Sequence, residues 1–174
     1  MLSRMAMPLL GAIAALLAAG PVAGADPITK LEPPKTAVVL TISGNIAVTN
    51  SDKGARFDRE TLNKIGVKTV TTATPWTEGK PKFTGVLLSD LLKAIGAKGA
   101  KVTAIALDNY SFAIPVEDAE KYPVLLAMEM NGTVMTAKDK GPIWVVYPRD
   151  DFPELNNRNT DRRMVWQVKE LIVE

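Results

Sequence analysis

The alternation of apolar and polar residues predicts a chain built mainly from short strands. Runs rich in β-branched and aromatic residues predict strands at 37–42, 67–74, 102–107, 111–114, 143–147 and 165–173. The Asn131-Gly132 pair lies between two further apolar runs, 124–130 and 133–135, and is typical of a β-hairpin turn. The pattern therefore favours a protein in which sheets form most of the core.

Helical periodicity is confined to short segments. Residues 85–95 place apolar side chains at i, i+3 and i+4 spacing, and Gly96 follows as a stop, so we expect a helix there. A second short helix is predicted over 57–65, with Asp58 as its N-cap. Residues 115–120 have the pattern of a single helical turn.

The polar segments complete the domain organisation. Residues 149–163 are charged and irregular and are predicted to form a long loop. No internal repeat or inner boundary is present, so we predict one α+β domain over 37–174, with mixed sheets and a few short helices. A proline-broken, extended lead-in is expected at 26–36.

The first 25 residues have the pattern of an export signal. A short basic region at Arg4 precedes an apolar run over 8–19, and Ala23-Gly24-Ala25 forms a small-x-small cleavage site. We therefore expect residues 1–25 to be removed after Ala25 and the mature protein to be periplasmic. A retained N-terminal anchor is the alternative.

Composition narrows the possible partners and chemistries. The chain has 21 basic and 19 acidic residues, a net charge of +2, and this balance argues against nucleic acid or an anionic membrane as the main partner. It contains no cysteine and no histidine. Disulfides and catalytic Cys-His or Ser-His-Asp groups are therefore excluded, and no metal-ligand spacing can be assembled.

Four segments in a fixed order resemble the molybdopterin-binding domain of the sulfite oxidase superfamily. They are GVLLSDLLKAIG with the Asp108-Asn109-Tyr110 turn after it, VLLAMEMNGTVM, GPIWVVYP and the late VWQVKELIV. In that family a G-V-x-L-x-x-L-L helix, a D-G-Y turn, an N-G hairpin, a G-P-L-R strand start and a tryptophan-led last strand follow one another. The resemblance implies the sulfite oxidase fold.

The departures from that family concern its metal. In the molybdenum enzymes a cysteine of the loop before the G-V-x-L helix binds the metal, but the corresponding loop here, 71–83, has none. Thr72 or Thr74 would offer only a hydroxyl near that place, whereas molybdenum prefers soft sulfur. Trp144 also replaces the arginine of G-P-L-R. We therefore expect no molybdenum and no sulfite oxidation by the family mechanism.

A second resemblance fits these losses. The chain is similar in length, export signal and missing metal ligand to small periplasmic pterin-binding signalling proteins of the same fold. This resemblance implies a non-catalytic protein that binds a reduced pterin such as tetrahydromonapterin. It also implies a partner, the periplasmic domain of a membrane enzyme that makes or degrades cyclic di-GMP. A redox protein holding a pterin cofactor without a protein thiolate, and an accessory protein-binding subunit with a filled pocket, are the alternatives.

A pterin needs a ring face for stacking and hydrogen-bonding groups at its polar edges. Trp76, Phe83 and Tyr110 are candidate faces, and Asp108 is a candidate acceptor for the amino-pyrimidine edge. Trp76 could equally cover the core beneath its loop, and Phe83 and Tyr110 could simply pack in the core or turn. Trp144, in an apolar strand, is expected either in the core or in a pocket wall.

The arginines of the 149–163 segment are the candidate donors to a pterin carbonyl. They are Arg149, Arg158, Arg162 and Arg163. A self-paired, solvated surface is the alternative interpretation of this charged segment. Trp166 is a further candidate contact, although its position in the predicted last strand favours the core.

Overall fold

The structure is a computed structural model in which residues 30–174 are described. The predicted signal segment 1–25 and the beginning of the lead-in lie outside these residues. Ten strands are present in the described part of the chain: β1 Leu40–Gly44, β2 Ala55–Phe57, β3 Val67–Thr71, β4 Lys82–Leu87, β5 Lys101–Ala106, β6 Ser111–Pro115, β7 Leu125–Met130, β8 Thr133–Val134, β9 Trp144–Val146 and β10 Val168–Val173. The helices are α1 Arg59–Asn63, α2 Leu88–Ala94, α3 Val116–Lys121 and α4 Arg158–Arg163, with a 3₁₀ turn at Pro153–Leu155.

The strands form two sheets. The first has the order β2-β1-β10-β5-β6, in which β1 and β10 are parallel and the other neighbours are antiparallel. The second has the order β3-β4-β7-β8, and β9 pairs with β7 beside it. This arrangement of mixed sheets with a few short helices confirms the predicted α+β fold class. No helix within residues 30–174 combines the length and apolar character needed to cross a membrane.

Large aromatic and aliphatic side chains fill the core. Trp144, Tyr147, Phe57 and Phe83 are the largest fully buried side chains. The ring of Phe83 meets that of Trp144 edge to face, with centroids 5.3 Å apart. Such pairs add to the free energy gained from burial alone. Trp144 is therefore a core residue, and the core is one of the two locations, core or pocket wall, that the sequence predicts for it.

The predicted N-cap at Asp58 is confirmed. Its carboxylate accepts hydrogen bonds from the backbone N–H of Thr61 at 2.8 Å and from the Thr61 hydroxyl at 2.8 Å. It also accepts from the backbone N–H groups of Lys35 and Thr36. These donors, Thr61 first, hold the pKa of Asp58 well below its usual range. The same side chain thus begins α1 and attaches the lead-in segment to the domain.

The helix predicted over 85–95 is wrong in its first turn. Residues 82–87 form β4, and α2 begins only at Leu88. Gly85 pairs with Ala127 of β7, and a Cβ on Gly85 would lie 2.0 Å from the carbonyl oxygen of Leu126. Close backbone approach and ladder hydrogen bonds keep this segment in the sheet, although its apolar spacing also fits a helix.

Three further features differ from the prediction. The 149–163 segment is not a continuous loop, because Asn157 caps α4 by accepting from the N–H groups of Asn159 and Thr160. The last strand begins at Val168 rather than at 165, since Gln167 has a left-handed φ of 52° that interrupts extended backbone. The short strand β2 was not predicted. The Asn131-Gly132 hairpin is confirmed.

Candidate functional site

A cleft of about 330 Å³ opens where the first sheet meets the loop that follows β3. The β5–β6 turn, that loop, α4 and the segment leading into β10 each contribute to its wall. The lining side chains are mainly aromatic or apolar, with charged groups at the edge: Trp76, Ala106, Asp108, Tyr110, Asp161, Arg162, Met164, Val165 and Trp166. A mainly apolar pocket with a few polar groups is the usual form of a small-molecule site.

Tryptophan rings form one wall of the cleft. Trp76 and Trp166 meet at right angles with their centroids 5.0 Å apart, and Trp76 is 38% exposed. Behind them Trp144 is fully buried, and its Nε1 donates to the carbonyl oxygen of Met164 at 3.0 Å. The Lys140 ammonium lies 5.0 Å from the centroid of the Trp166 ring and 5.4 Å from that of Trp144. The rings are therefore held from behind while Trp76 keeps a surface open to a ligand.

The loop that carries Trp76 is fixed by threonine hydroxyls. Thr74 Oγ1 accepts from the backbone N–H of Trp76 at 3.2 Å and lies 3.0 Å from Thr77 Oγ1. Thr72 donates its hydroxyl to Asp150 Oδ2 at 3.0 Å. Thr72 and Thr74 are both buried, and neither lines the cleft. They therefore position Trp76 from behind its loop.

Asp150 completes the support of this loop. Besides the Thr72 hydroxyl, its carboxylate accepts from the backbone N–H of Ala73 and pairs with the Lys80 ammonium at 2.8 Å. The Lys80 ammonium first, and then the Ala73 N–H, lower the pKa of Asp150 to about 2. The carboxylate is thus ionised over the whole physiological range, and it links the loop after β3 to the segment that follows β9.

The β5–β6 turn supplies Asp108 and Tyr110. Asp108 Oδ1 accepts from the backbone N–H of Tyr110 at 2.9 Å, and Asn109 takes a left-handed φ of 68° between them. Asparagine tolerates this conformation better than most residues, which explains how it replaces the glycine of the D-G-Y pattern. Tyr110 is 48% exposed at the cleft edge.

Two ion pairs hold α4 against the body of the domain. Arg163 Nη1 donates to Asp118 Oδ2 at 2.7 Å, and the Tyr147 hydroxyl donates to the same oxygen at 2.7 Å. Arg149 Nη1 lies 3.2 Å from Asp161 Oδ1. Burial raises the pKa of Tyr147 far above its usual value, so the phenol remains a donor. Through these contacts α4 presents Asp161 and Arg162 to the cleft.

The structure brings together five of the eleven candidate residues: Trp76, Asp108, Tyr110, Arg162 and Trp166. The other six lie elsewhere: Thr72 and Thr74 inside the Trp76 loop, Phe83 in the core, Arg149 and Arg163 in ion pairs that hold α4, and Arg158 on its exposed face. The prediction that Trp166 belongs to the last strand is wrong, because Trp166 lies before that strand, half-buried in the cleft wall.

Sequence reasoning missed several cleft residues: Ala106, Asp161, Met164 and Val165. Asp161 is the important one, because it is charged. Asn157 as an N-cap is a signal that could have indicated the start of α4, although it does not indicate which residues of α4 face the cleft.

Two sheets around an aromatic core, with a mainly apolar cleft beside the loop after β3, define an α+β domain with a candidate small-molecule site. A model of the family described as the oxidoreductase molybdopterin binding domain matches residues 46–150. The chain belongs to this family. A search of curated proteins finds no match.

The donors of this chain do not fit a molybdenum atom held by the protein. The sequence contains no cysteine or histidine, and residues 30–174 contain no cluster of acidic side chains suited to a metal ion. The hydroxyls of Thr72 and Thr74, in the loop that carries the metal-binding cysteine in molybdenum enzymes of the fold, are engaged in hydrogen bonds. The cleft, in contrast, offers aromatic ring faces rather than metal ligands.

Proposed function

We propose that this protein binds a free reduced pterin, such as tetrahydromonapterin, in the cleft between Trp76, Tyr110 and Trp166. In this proposal it is a periplasmic, non-catalytic protein whose ligand state regulates a membrane enzyme of cyclic di-GMP metabolism. Membership of a molybdopterin-binding family supports a pterin as the ligand, and the missing thiolate supports a ligand without molybdenum.

The observation that carries the proposal is the combination of open aromatic faces with two charges that lack ion-pair partners. Within residues 30–174, neither Asp108 nor Arg162 forms a salt bridge, and both line the cleft. A pterin has N–H donors at its amino-pyrimidine edge and a carbonyl acceptor at C4. A carboxylate and a guanidinium beside a stacking surface match these groups.

The size of the cleft supports a small ligand. Its volume of about 330 Å³ lies near the lower limit of ordinary ligand sites. That volume suits one bicyclic ring with a short side chain better than a cofactor extended by a nucleotide. A free pterin is a ligand of this size.

The regulatory part of the proposal rests on similarity to exported, cysteine-free pterin-binding signalling proteins and on the nature of the cleft edge. Leu107 and Tyr110, both on the β5–β6 turn, are exposed apolar side chains beside the cleft. A partner that contacted this edge would sense whether the cleft is filled. Pull-down of the periplasmic domain of a membrane cyclic di-GMP enzyme encoded by a neighbouring gene, with and without tetrahydropterin, tests this part. Equal amounts of that domain captured with and without the ligand would contradict it.

Calorimetric titration with tetrahydropterin under anaerobic conditions tests the binding itself. Trp76→Ala should weaken binding by about 1–3 kcal/mol, the usual effect of removing an aromatic ring that stacks on a base. Phe152→Ala is the matched control, because Phe152 packs on Tyr122 outside the cleft. Absence of binding by the wild type, or equal affinity of the Trp76→Ala variant, would contradict the proposal.

A redox protein that carries its pterin cofactor without a protein thiolate is the second candidate, and the family match favours it. Metal analysis of protein purified from the periplasm separates the two candidates. Stoichiometric molybdenum would support the redox protein and overturn the free-pterin proposal.

A further inference from the structure

A second hollow, of about 350 Å³, lies between the loop that carries Trp76 and the segment that joins β8 to β9. Its lining includes the apolar side chains of Met130 and Met135 and the charged side chains of Lys138 and Lys140. Trp76 lines both this second hollow and the cleft. The two spaces therefore meet at one indole ring, and a ligand that stacks on this ring in the cleft lies next to the second hollow.

The segment that carries the two lysines has a fixed backbone. The N–H of Gly141 donates to the carbonyl oxygen of Thr136 at 2.9 Å, and the N–H of Gln167 donates to the carbonyl oxygen of Lys140 at 2.9 Å. The side-chain amide of Gln167 also donates to the carbonyl oxygen of Asp139 at 3.2 Å. Because this backbone is already ordered, a ligand that binds there loses less of its binding free energy to ordering the protein.

The Lys140 ammonium has no oxygen acceptor among residues 30–174. It lies 5.0 Å from the centroid of the Trp166 ring and 5.4 Å from that of Trp144, and it forms no salt bridge with a described carboxylate. The residue is half-buried. Attraction to the rings holds the ammonium in place but leaves it free to donate to an oxygen of a ligand.

The charged groups of the second hollow are of both signs. Asp139 lies between the two lysines in sequence and lines the same hollow, and its Oδ2 accepts from the Thr136 hydroxyl at 3.2 Å. The hollow thus combines ammonium donors with a carboxylate acceptor. A hydroxyl group both donates and accepts, so a chain of hydroxyls matches this mixture. A phosphate would be attracted by the lysines but repelled by Asp139.

We propose that the second hollow binds a hydroxylated side chain at C6 of the reduced pterin, with the ammonium groups of Lys138 and Lys140 donating to its hydroxyl oxygens. This inference rests on the proposed function and deepens it. C6 belongs to the pyrazine ring, on the side of the pteridine away from the amino-pyrimidine edge. A ring whose amino-pyrimidine edge meets Asp108 and Arg162 therefore directs C6 away from these two residues. The protein selects among reduced pterins by their C6 substituent.

Anaerobic calorimetric titration of the purified protein with two ligands tests the inference. Tetrahydromonapterin carries a trihydroxypropyl group at C6, and 6-methyltetrahydropterin has the same ring without side-chain oxygens. Hydrogen bonds from charged groups predict that wild-type protein binds the hydroxylated ligand about ten- to a hundredfold more tightly. Lys140→Met should reduce this preference to a few fold and leave the affinity for the methyl compound nearly unchanged, because methionine keeps an unbranched apolar chain against the rings.

Lys98→Gln is the matched control, because Lys98 is an exposed lysine that lines neither the cleft nor the second hollow. This variant should retain the full preference for the hydroxylated ligand. A preference that falls equally in Lys98→Gln and in Lys140→Met would reveal a general effect of charge and overturn the assignment to the second hollow.

The remaining outcomes separate this inference from the pterin proposal. Equal affinity of the wild type for both ligands, or an unchanged preference in folded Lys140→Met, would overturn the role of the second hollow and leave pterin binding supported. If neither ligand binds, both proposals fail. If Lys140→Met does not fold, Lys138→Met, at an exposed position, takes its place. A preference that falls in that variant supports the inference, and one that stays at the wild-type level overturns it.

Discussion

The carboxylate of Asp118 should be among the most sensitive single positions outside the cleft. Asp118 Oδ2 receives both the Arg163 guanidinium and the Tyr147 hydroxyl at 2.7 Å, and the Asp118 side chain is only 15% exposed. Asp118→Ala removes both contacts at once. Because Arg163 ends α4, the same change releases the helix that presents Asp161 and Arg162 to the cleft.

The expected cost follows from the two groups left behind. Loss of a hydrogen bond to a charged partner costs about 1.5–3 kcal/mol, and a buried hydroxyl left without a partner costs about 1–3 kcal/mol. Together they predict a loss of about 3–5 kcal/mol in the free energy of unfolding, which agrees with the range for breaking a buried ion pair. Tyr147→Phe removes the hydroxyl but leaves the pair, so it should cost only about 0.5–1.5 kcal/mol.

Urea denaturation followed by circular dichroism measures these values. Glu120→Ala, on the exposed side of the same helix α3, is the matched control and should change stability by no more than about 0.5 kcal/mol. For Asp118→Ala, a domain of this size should lose roughly 10 °C in melting temperature. A loss below about 1 kcal/mol would show that the Asp118 network does not hold α4, and the reasoning about the cleft wall would fail with it.

Three further predictions concern the loop, the second sheet and the cleft. Asp150 has a pKa of about 2 in the folded protein and about 4 when unfolded, so its stabilising effect is full above about pH 4 and is lost as the pH falls towards 2. Urea denaturation should therefore find the Asp150→Asn variant less stable than wild type at neutral pH, with the difference in unfolding free energy disappearing in acid. A difference that does not change with pH would contradict this. Gly85→Ala should cost about 1–3 kcal/mol or prevent folding, because its Cβ would overlap the Leu126 carbonyl; unchanged thermal unfolding would refute the close approach. The ring centroids of all three tryptophans of the chain lie within 6.4 Å of one another. Saturating tetrahydropterin should therefore change the tryptophan fluorescence emission strongly. An unchanged emission spectrum would place the ligand elsewhere.

Local signals in the sequence predict the structure correctly where a residue type strongly favours one backbone conformation or one capping role. Asn131-Gly132 requires two left-handed residues, φ 52° and 77° in the structure, and the hairpin is confirmed. Asp58 as a helix cap is confirmed for the same reason. The 85–95 helix was partly wrong because Val86 and Leu87 fit both periods, and only the tertiary pairing of Gly85 with β7 decides between them.

The residues of the candidate site also divide into those that the sequence reveals and those that it does not. Trp76 and the Asp108–Tyr110 turn could be singled out because an aromatic residue in a polar loop and an Asx turn are visible in the sequence. Asp161 could not, because several charged residues surround it in α4 and its position is set by Arg149, twelve residues earlier in the chain. Long-range ion pairs of this kind leave no periodic signal in the sequence.

The absence of a cysteine and the presence of Asp150 together explain how the polar groups of the loop after β3 are used. The hydroxyls of Thr72 and Thr74 in this loop are already used, the first by Asp150 and the second by the backbone of Trp76 and by Thr77. The exposed Trp76 ring is the loop's contribution to the cleft. Stacking needs a rigid ring rather than a donor atom, and rigidity is what these hydrogen bonds supply. A loop organised in this way is suited to holding a flat ligand, and this supports recognition of a pterin rather than ligation of a metal.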